Sequence, residues 1–435
     1  MVLAASEKSL PYIRKSGEAA ISGRIKSTPD DFVVEEITLS GKVLELGRVY
    51  SKDILGINES KDLSGKEAFT VFVMQKRGWN TVQALRSIAE ACGRGIRSVG
   101  FAGTKDRIAL STQLCSIYGA EPEAVAGVRI KDISVNGAWK SDKGVKLGDL
   151  LGNRFTVTIR DISGFDQIEK INRSLGGTFP NYYGLQRFGY RFNNVSIGVH
   201  MLKGEFKEAV MTYLTDSSNE TNEENIAARQ RLSKEWDFAE ALLYFPKSMK
   251  YERSMLGHLS RSHDDYAGAI RSLPRQVQLM FVHAVESYVF NASLAKRVES
   301  KEFTPREGEL VCGSNALGFP NLSSVQRYNG KQGGESNAGG ELFVLGNVIG
   351  YDTPDSAISA YEKEVLEQLG ITPDSFKLRK LPGIASKGTL RPLFAPYTNF
   401  ASVQEAEDTA RLRFSLSSGS YATVLLNEFI NSSKQ

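Results

Sequence analysis

Val99 to Ile117 reads VGFAGTKDRIALSTQLCSI, an apolar run that stops at Gly103 and resumes after Ala109. Thr104, Lys105, Asp106 and Arg107 are left at a turn between them. Apolar and β-branched residues on both sides predict two short strands, so the turn hangs from a rigid scaffold, as catalytic loops do. It sets one carboxylate among cations. Lys105 and Arg107 favour the ionised form of Asp106, which suits a nucleophile better than a general acid. The same residues would also make a plain surface turn closed by a local ion pair.

Upstream, AFTVFVMQ at Ala68–Gln75 is a strand ending in Lys76-Arg77-Gly78-Trp79-Asn80. Thr81 is the expected N-cap of a helix in which Val82, Leu85, Ile88 and Ala89 recur at helical spacing, and Gly93 stops it. From Lys76 to Arg107 the cations Lys76, Arg77, Arg86, Arg94, Arg97, Lys105 and Arg107 face only Glu90 and Asp106. This is the chain's best phosphate patch, with Arg94 and Arg97 placed to touch RNA backbone; a solvated helix face would carry the same charges.

Downstream, NRFTVTIRDI is a strand, Asp166 to Leu175 a helix, and Gly176-Gly177 delivers the chain to FPNYYGLQRFG at Phe179–Gly189. Aromatics able to stack on a base, amides able to read its edge and an arginine able to hold phosphate describe a nucleotide pocket, or else an aromatic corner inside a domain. Strands and helices alternating with hairpins predict a mixed α+β sheet.

The chain's 435 residues exceed what one hydrophobic core normally serves, so two domains are expected. With 54 basic and 50 acidic side chains, any nucleic-acid surface must be a local patch. Cys92, Cys115 and Cys312 are too few and scattered for a disulfide framework or zinc knuckle. The amino terminus lacks a signal-peptide apolar region, and no apolar run approaches the roughly 20 residues that cross a bilayer, so a cytoplasmic protein without membrane attachment is expected. His258 and His263, beside Asp264 and Asp265, are spaced wrongly for two imidazoles on one helix face, and no metal site is expected.

After about Arg191 the texture turns helical: Asn194–Leu214, Leu232–Phe245, Tyr251–Ser260 and Gln276–Arg297 read as helices, with an acidic loop at Asp216–Glu224. Strands are expected at Glu309–Cys312 and Leu342–Asp352, around a glycine-rich loop at Gly330–Gly340. The sheet pattern returns at Arg411, so the first domain is closed by the carboxy terminus.

Four blocks carry a resemblance. GTKDRIALSTQ at Gly103–Gln113 and NYYGLQRFG at Asn181–Gly189 are similar to the signature pair of the TruD family of pseudouridine synthases. KSTPDDFVVEEI at Lys26–Ile37 resembles its amino-terminal lysine and glutamate-bearing strand, and SGSYATVLLNEFIN at Ser418–Asn431 its final strand and helix. They keep the family's order across nearly the whole chain.

The resemblance implies an α+β catalytic core with a mixed, mainly antiparallel sheet at residues 1–190 and 391–435, interrupted by a largely helical α+β insertion, the TRUD domain, at 191–390. It implies an enzyme acting on tRNA, without a cofactor, that isomerises uridine 13; a monomer is expected. Asp106 is the implied nucleophile, with Lys26 as its ion-pair partner and Lys105 in support. Tyr183 sits where the family stacks an aromatic on the base, Phe in bacterial members; Asn181 and Arg187 would bind substrate beside it. Arg94, Arg97 and Arg107 would hold RNA backbone, and Glu36 and Gln186 would buttress. A non-catalytic RNA-binding module and a glycoside or nucleoside hydrolase are the alternatives, the latter needing a second carboxylate for which no motif stands out.

Overall fold

A computed structural model describes residues 11–55, 68–330 and 341–432. Most of the glycine-rich loop at Gly330–Gly340 lies outside the described residues. The fold is α+β, in two compact units: Lys15–Phe179 with Asn315–Pro320 and Ala395–Gln435, and Met1–Arg14 with Pro180–Ser314 and Asn321–Phe394. The division falls between Phe179 and Pro180, so the aromatic motif groups with the helices that follow it.

The first unit is built on a nine-stranded sheet. Along its path lie Ile133–Ser141, Phe69–Arg77, Leu110–Tyr118, Phe32–Ile37, Gly152–Arg160, Thr409–Ser417, Phe394–Ala406 and Thr178–Pro180; Val99–Phe101 pairs on the side with Leu110–Tyr118. Phe32–Ile37 runs parallel to Leu110–Tyr118, and the other pairings with a given register are antiparallel. Valine, phenylalanine and isoleucine on alternating faces bury against the helix Thr81–Ala91 through Phe72, Met74, Leu85, Ile88 and Cys115. The central strand Leu110–Tyr118 also carries fully buried Ser111, Thr112 and Gln113. Polar groups in the middle of a sheet mark where it does more than pack.

Two expectations change here. The cap of Thr81–Ala91 is Asn80, whose Oδ1 accepts from the Val82 and Gln83 amides. That frees the Thr81 hydroxyl for another task. The strand Phe394–Ala406 carries no clear strand pattern in sequence because Pro396 and the left-handed Asn399 (φ 54°) interrupt its alternation, with a register shift between Thr398 and Ala401.

The second unit is mostly helical. Its long helix Arg275–Glu299 is buried around most of its circumference by Phe281, Val282, Val285, Val289, Phe290 and Leu294, as an interior helix must be. The expected helix at Asn194–Leu214 is two, Asn194–Lys203 and Phe206–Thr215, because left-handed Gly204 closes the first. Glu223–Glu235, read partly as acidic loop, is a helix capped by Asn222; Trp236 at φ 53° separates it from Phe238–Tyr244. An antiparallel sheet orders Gln326–Arg327, Leu310–Cys312, Phe343–Val348 and Thr389–Pro392. Among the described residues no helix is long and apolar enough to cross a membrane.

Candidate active site

Asp106 lies between the strands Val99–Phe101 and Leu110–Tyr118, and buried groups grip its turn residue by residue. Gln113 Nε2 donates to the Gly103 carbonyl at 3.1 Å. The Lys105 amide donates to Thr81 Oγ1 at 2.9 Å, the hydroxyl that the Asn80 cap left available, and Thr81 Oγ1 lies 3.2 Å from Gln113 Oε1. The Lys76 ammonium donates to the Asp106 carbonyl at 2.8 Å. Backbone and supports are therefore fixed from below while the Asp106 side chain stays 42% exposed. A carboxylate so held and still reachable suits nucleophilic attack.

The charges are distributed differently from the simple reading of neighbours in sequence. Lys105 turns its ammonium away from Asp106 and into a buried pair with Glu36 at 2.7 Å, and Glu36 also accepts from the Leu114 amide at 3.0 Å. Arg107 is exposed. The cation on Asp106 is Lys26, whose Nζ is 2.6 Å from Oδ2. Lys26 is left-handed at φ 59°, a conformation costing about 1–2 kcal/mol for a residue with a Cβ. Its contacts with Asp106 and with the Phe32 ring, 4.3 Å from Nζ, offset that cost.

Lys76, expected in a phosphate patch, is fully buried. Burial pulls its ammonium down to about 8; the Asp106 charge opposes this and Lys105 adds to it. Sequence reasoning missed this support because Lys76 ends an otherwise ordinary strand. Other patch members are also engaged: Arg77 pairs with Asp30, and the Arg94 guanidinium donates to the Gly119 carbonyl. Among the described residues Arg86, Arg97 and Arg107 make no ion pair, and all three are exposed.

In the second unit, NYYGLQRFG is held by the backbone and by rings. Asn291, on the helix Arg275–Glu299, clamps Tyr183 twice: Oδ1 accepts its amide at 2.8 Å and Nδ2 donates to its carbonyl at 3.0 Å. Phe290 meets the Tyr183 ring edge-on at 5.5 Å. Asn181 is 2% exposed, its Nδ2 donating to the Pro392 carbonyl at 3.0 Å and its Oδ1 accepting from Arg391 Nη2 at 2.7 Å. Arg391, which no sequence signal singled out, lies over the Tyr183 ring at 4.3 Å, and Arg187 lies over it at 5.3 Å. Gly189 closes the motif at φ 78°, where a Cβ would meet Asn194 Nδ2 at 2.5 Å. His258 meets Asp265, the N-cap of Tyr266–Arg271, at 3.0 Å.

The family model for tRNA pseudouridine synthase D (TruD) matches residues 12–429, a span that takes in the Asp106 turn and the tyrosine motif. The chain belongs to the TruD family. Among its TruD relatives is a protein of Methanosarcina acetivorans named "Probable tRNA pseudouridine synthase D", 32% identical over 94% of this chain and 93% of its own. One of the same name from Methanopyrus kandleri is 33% identical over 85% and 87%. The crystal structure of the TruD chain from Methanosarcina mazei superposes with a TM-score of 0.75 at 29% identity, covering 96% of both chains.

Proposed function

We propose that this protein is a tRNA pseudouridine synthase that converts uridine 13 in the D arm of tRNA, with Asp106 as its nucleophile. The observation that carries the reading is the reachable Asp106 carboxylate, paired with Lys26 on a turn whose backbone Lys76, Thr81 and Gln113 hold in place. Family membership and relatives named for this activity support it.

The reaction breaks the bond between ribose C1′ and uracil N1 and joins C1′ to C5; C5 gives up its hydrogen as a proton and N1 gains one, so the product is an isomer of the substrate. It has no redox change and transfers no group to a second molecule, so the proposal includes no cofactor. Asp106 attacks the target nucleotide while uracil detaches and turns, and its carboxylate is released again once the sugar is joined to C5; Lys26 orients that carboxylate. Lys105 acts at one remove, holding the turn through Glu36. Extruding the uridine costs a few kcal/mol. Stacking on Tyr183, worth roughly 1–3 kcal/mol, offsets part of that. Asn181 shapes the Tyr183 loop through Arg391 and Pro392, and Arg187, which lies over the Tyr183 ring, borders the bound base. Arg97 and Arg107 take RNA phosphates, joined by the outward face of Arg94. The enzyme works as a monomer in the cytoplasm.

Mapping pseudouridine by mass spectrometry in tRNA treated with the purified protein tests this. Wild type should modify uridine 13, and Asp106→Asn should lose on the order of 10³-fold or more in rate while still binding tRNA. Turnover by Asp106→Asn near the wild-type rate would refute the assignment.

A further inference from the structure

Under the reading above, a pyrimidine stacks on the Tyr183 ring, yet two guanidinium groups already lie over that ring. The two are not equivalent. Arg391 is buried and tied to Asn181 twice, Nε to its carbonyl at 3.1 Å and Nη2 to its Oδ1 at 2.7 Å. Arg187 is half-buried and, among the described residues, makes no side-chain hydrogen bond or ion pair; the ring is what holds it. If either cation yields to a base, it is Arg187.

A receiver for it stands nearby. Glu286 lies on the helix Arg275–Glu299 one turn before Phe290 and Asn291, the residues that hold Tyr183, and the turn Leu185–Phe188 packs on this helix. The Glu286 side chain is buried, and its Oε1 has no hydrogen-bond partner. Such an orphaned acceptor is costly to bury, so the fold retains it against a penalty. The charged group acting on this carboxyl is Arg187, and the Ser386 side chain likewise favours its ionised form. His283, one turn earlier on the helix, is under the influence of the same guanidinium.

We propose that Glu286 is a second seat for Arg187: as a pyrimidine takes the Tyr183 ring, the guanidinium leaves the ring and pairs with the orphaned carboxylate oxygen. Glu286 is thus a positioning residue that clears the stacking surface, a role that rests on the assignment of Tyr183 as the stacking ring. The exchange replaces a cation–π contact by a charge-assisted hydrogen bond, so the cation is stabilised at both stations. Burial raises the Glu286 carboxyl to about 7, with Ser386 and Arg187 opposing; burial and Arg187 lower the His283 imidazole. Below pH about 7 Glu286 takes up its proton and the second seat weakens.

The test is a double-mutant cycle read by single-turnover pseudouridine formation on transcribed tRNA, with melting temperatures as the check on folding. Glu286→Gln should slow wild type about tenfold at pH 8 and flatten the fall in rate below pH 7. In an Arg187→Ala background, where nothing needs to move, the same change should cost less than about twofold. Equal costs in both backgrounds would make Glu286 a fold residue and overturn the proposal, as would an unslowed Glu286→Gln. Should the glutamine variant not fold, Glu286→Asp, charged but shorter, enters the same cycle with the same criteria. A wild type whose activity depends on Asp106 and Tyr183, combined with zero coupling, sinks the second seat alone. A Tyr183→Ala variant of undiminished rate sinks the stacking assignment with it.

Discussion

Around Asp106 the supports are charged and hydroxyl or amide side chains gathered at one end of a sheet, whereas around Tyr183 they are amide clamps and ring contacts supplied by a helix and a short strand. The sheet can bury Lys76, Lys105 and Glu36 together because the strands carrying Lys76 and Glu36 flank the strand that follows the turn of Lys105, where Glu36 pairs with Lys105 and Lys76 donates to the Asp106 carbonyl. The helical unit uses one long side, on which Glu286, Phe290 and Asn291 follow one another at helical spacing. Charges fix a reacting group to within a bond length but are costly when broken. Ring and amide contacts hold a surface firmly while letting a neighbour such as Arg187 move.

The comparison breaks first at the Asp106 carboxylate itself, where the asparagine change should cost the most. Next comes the buried pair. Glu36→Ala strands the Lys105 ammonium and should destabilise the sheet unit by about 3–5 kcal/mol in urea unfolding, whereas Glu36→Leu with Lys105→Met should restore most of it. If the single change is mild, charge is not what holds this turn.

Lys76 offers a pH test of the same contrast. Its folded value near 8 lies below the 10.5 of an exposed lysine, so between those values the unfolded chain binds a proton the folded one has released. This group therefore makes stability rise with pH across that window, by roughly 1–3 kcal/mol. The difference between wild type and Lys76→Met, measured by unfolding from pH 7 to 10.5, isolates it from tyrosines and thiols. A flat difference would mean that Lys76 is not held as described.

On the other side of the comparison, Tyr183→Ala should reduce the rate by an amount equivalent to about 1–3 kcal/mol, and Tyr183→Phe should retain most of it. Equal losses for both would put the weight on the hydroxyl instead of the ring. The smallest effect belongs to the surface. Arg97→Ala should weaken tRNA binding modestly and lower the slope of log K against log salt by about one.

The order of the strands around Asp106, the helix at 166–175 and the buried helix near 276–297 were legible because their apolar periodicity is strong and local. So were the turn and the tyrosine motif, whose residue types suit few other tasks. Which cation meets Asp106 was not legible locally. Lys105 is its neighbour along the chain, but successive residues point to different sides, and Lys26, eighty positions away, arrives through pairing of distant strands. Asn80 displaced Thr81 as helix cap for a similar reason, since the Thr81 hydroxyl serves a turn that only the folded sheet brings to it.

Residue types and their local spacing decided that there would be a carboxylate on a rigid turn and an aromatic loop opening a helical region. Three-dimensional packing decided the partners: Lys26 for Asp106, Glu36 for Lys105, Asn291 and Arg391 for the tyrosine loop. Periodicity is a property of neighbours along the chain, while charge pairing and burial depend on groups brought together only when distant segments close on one another.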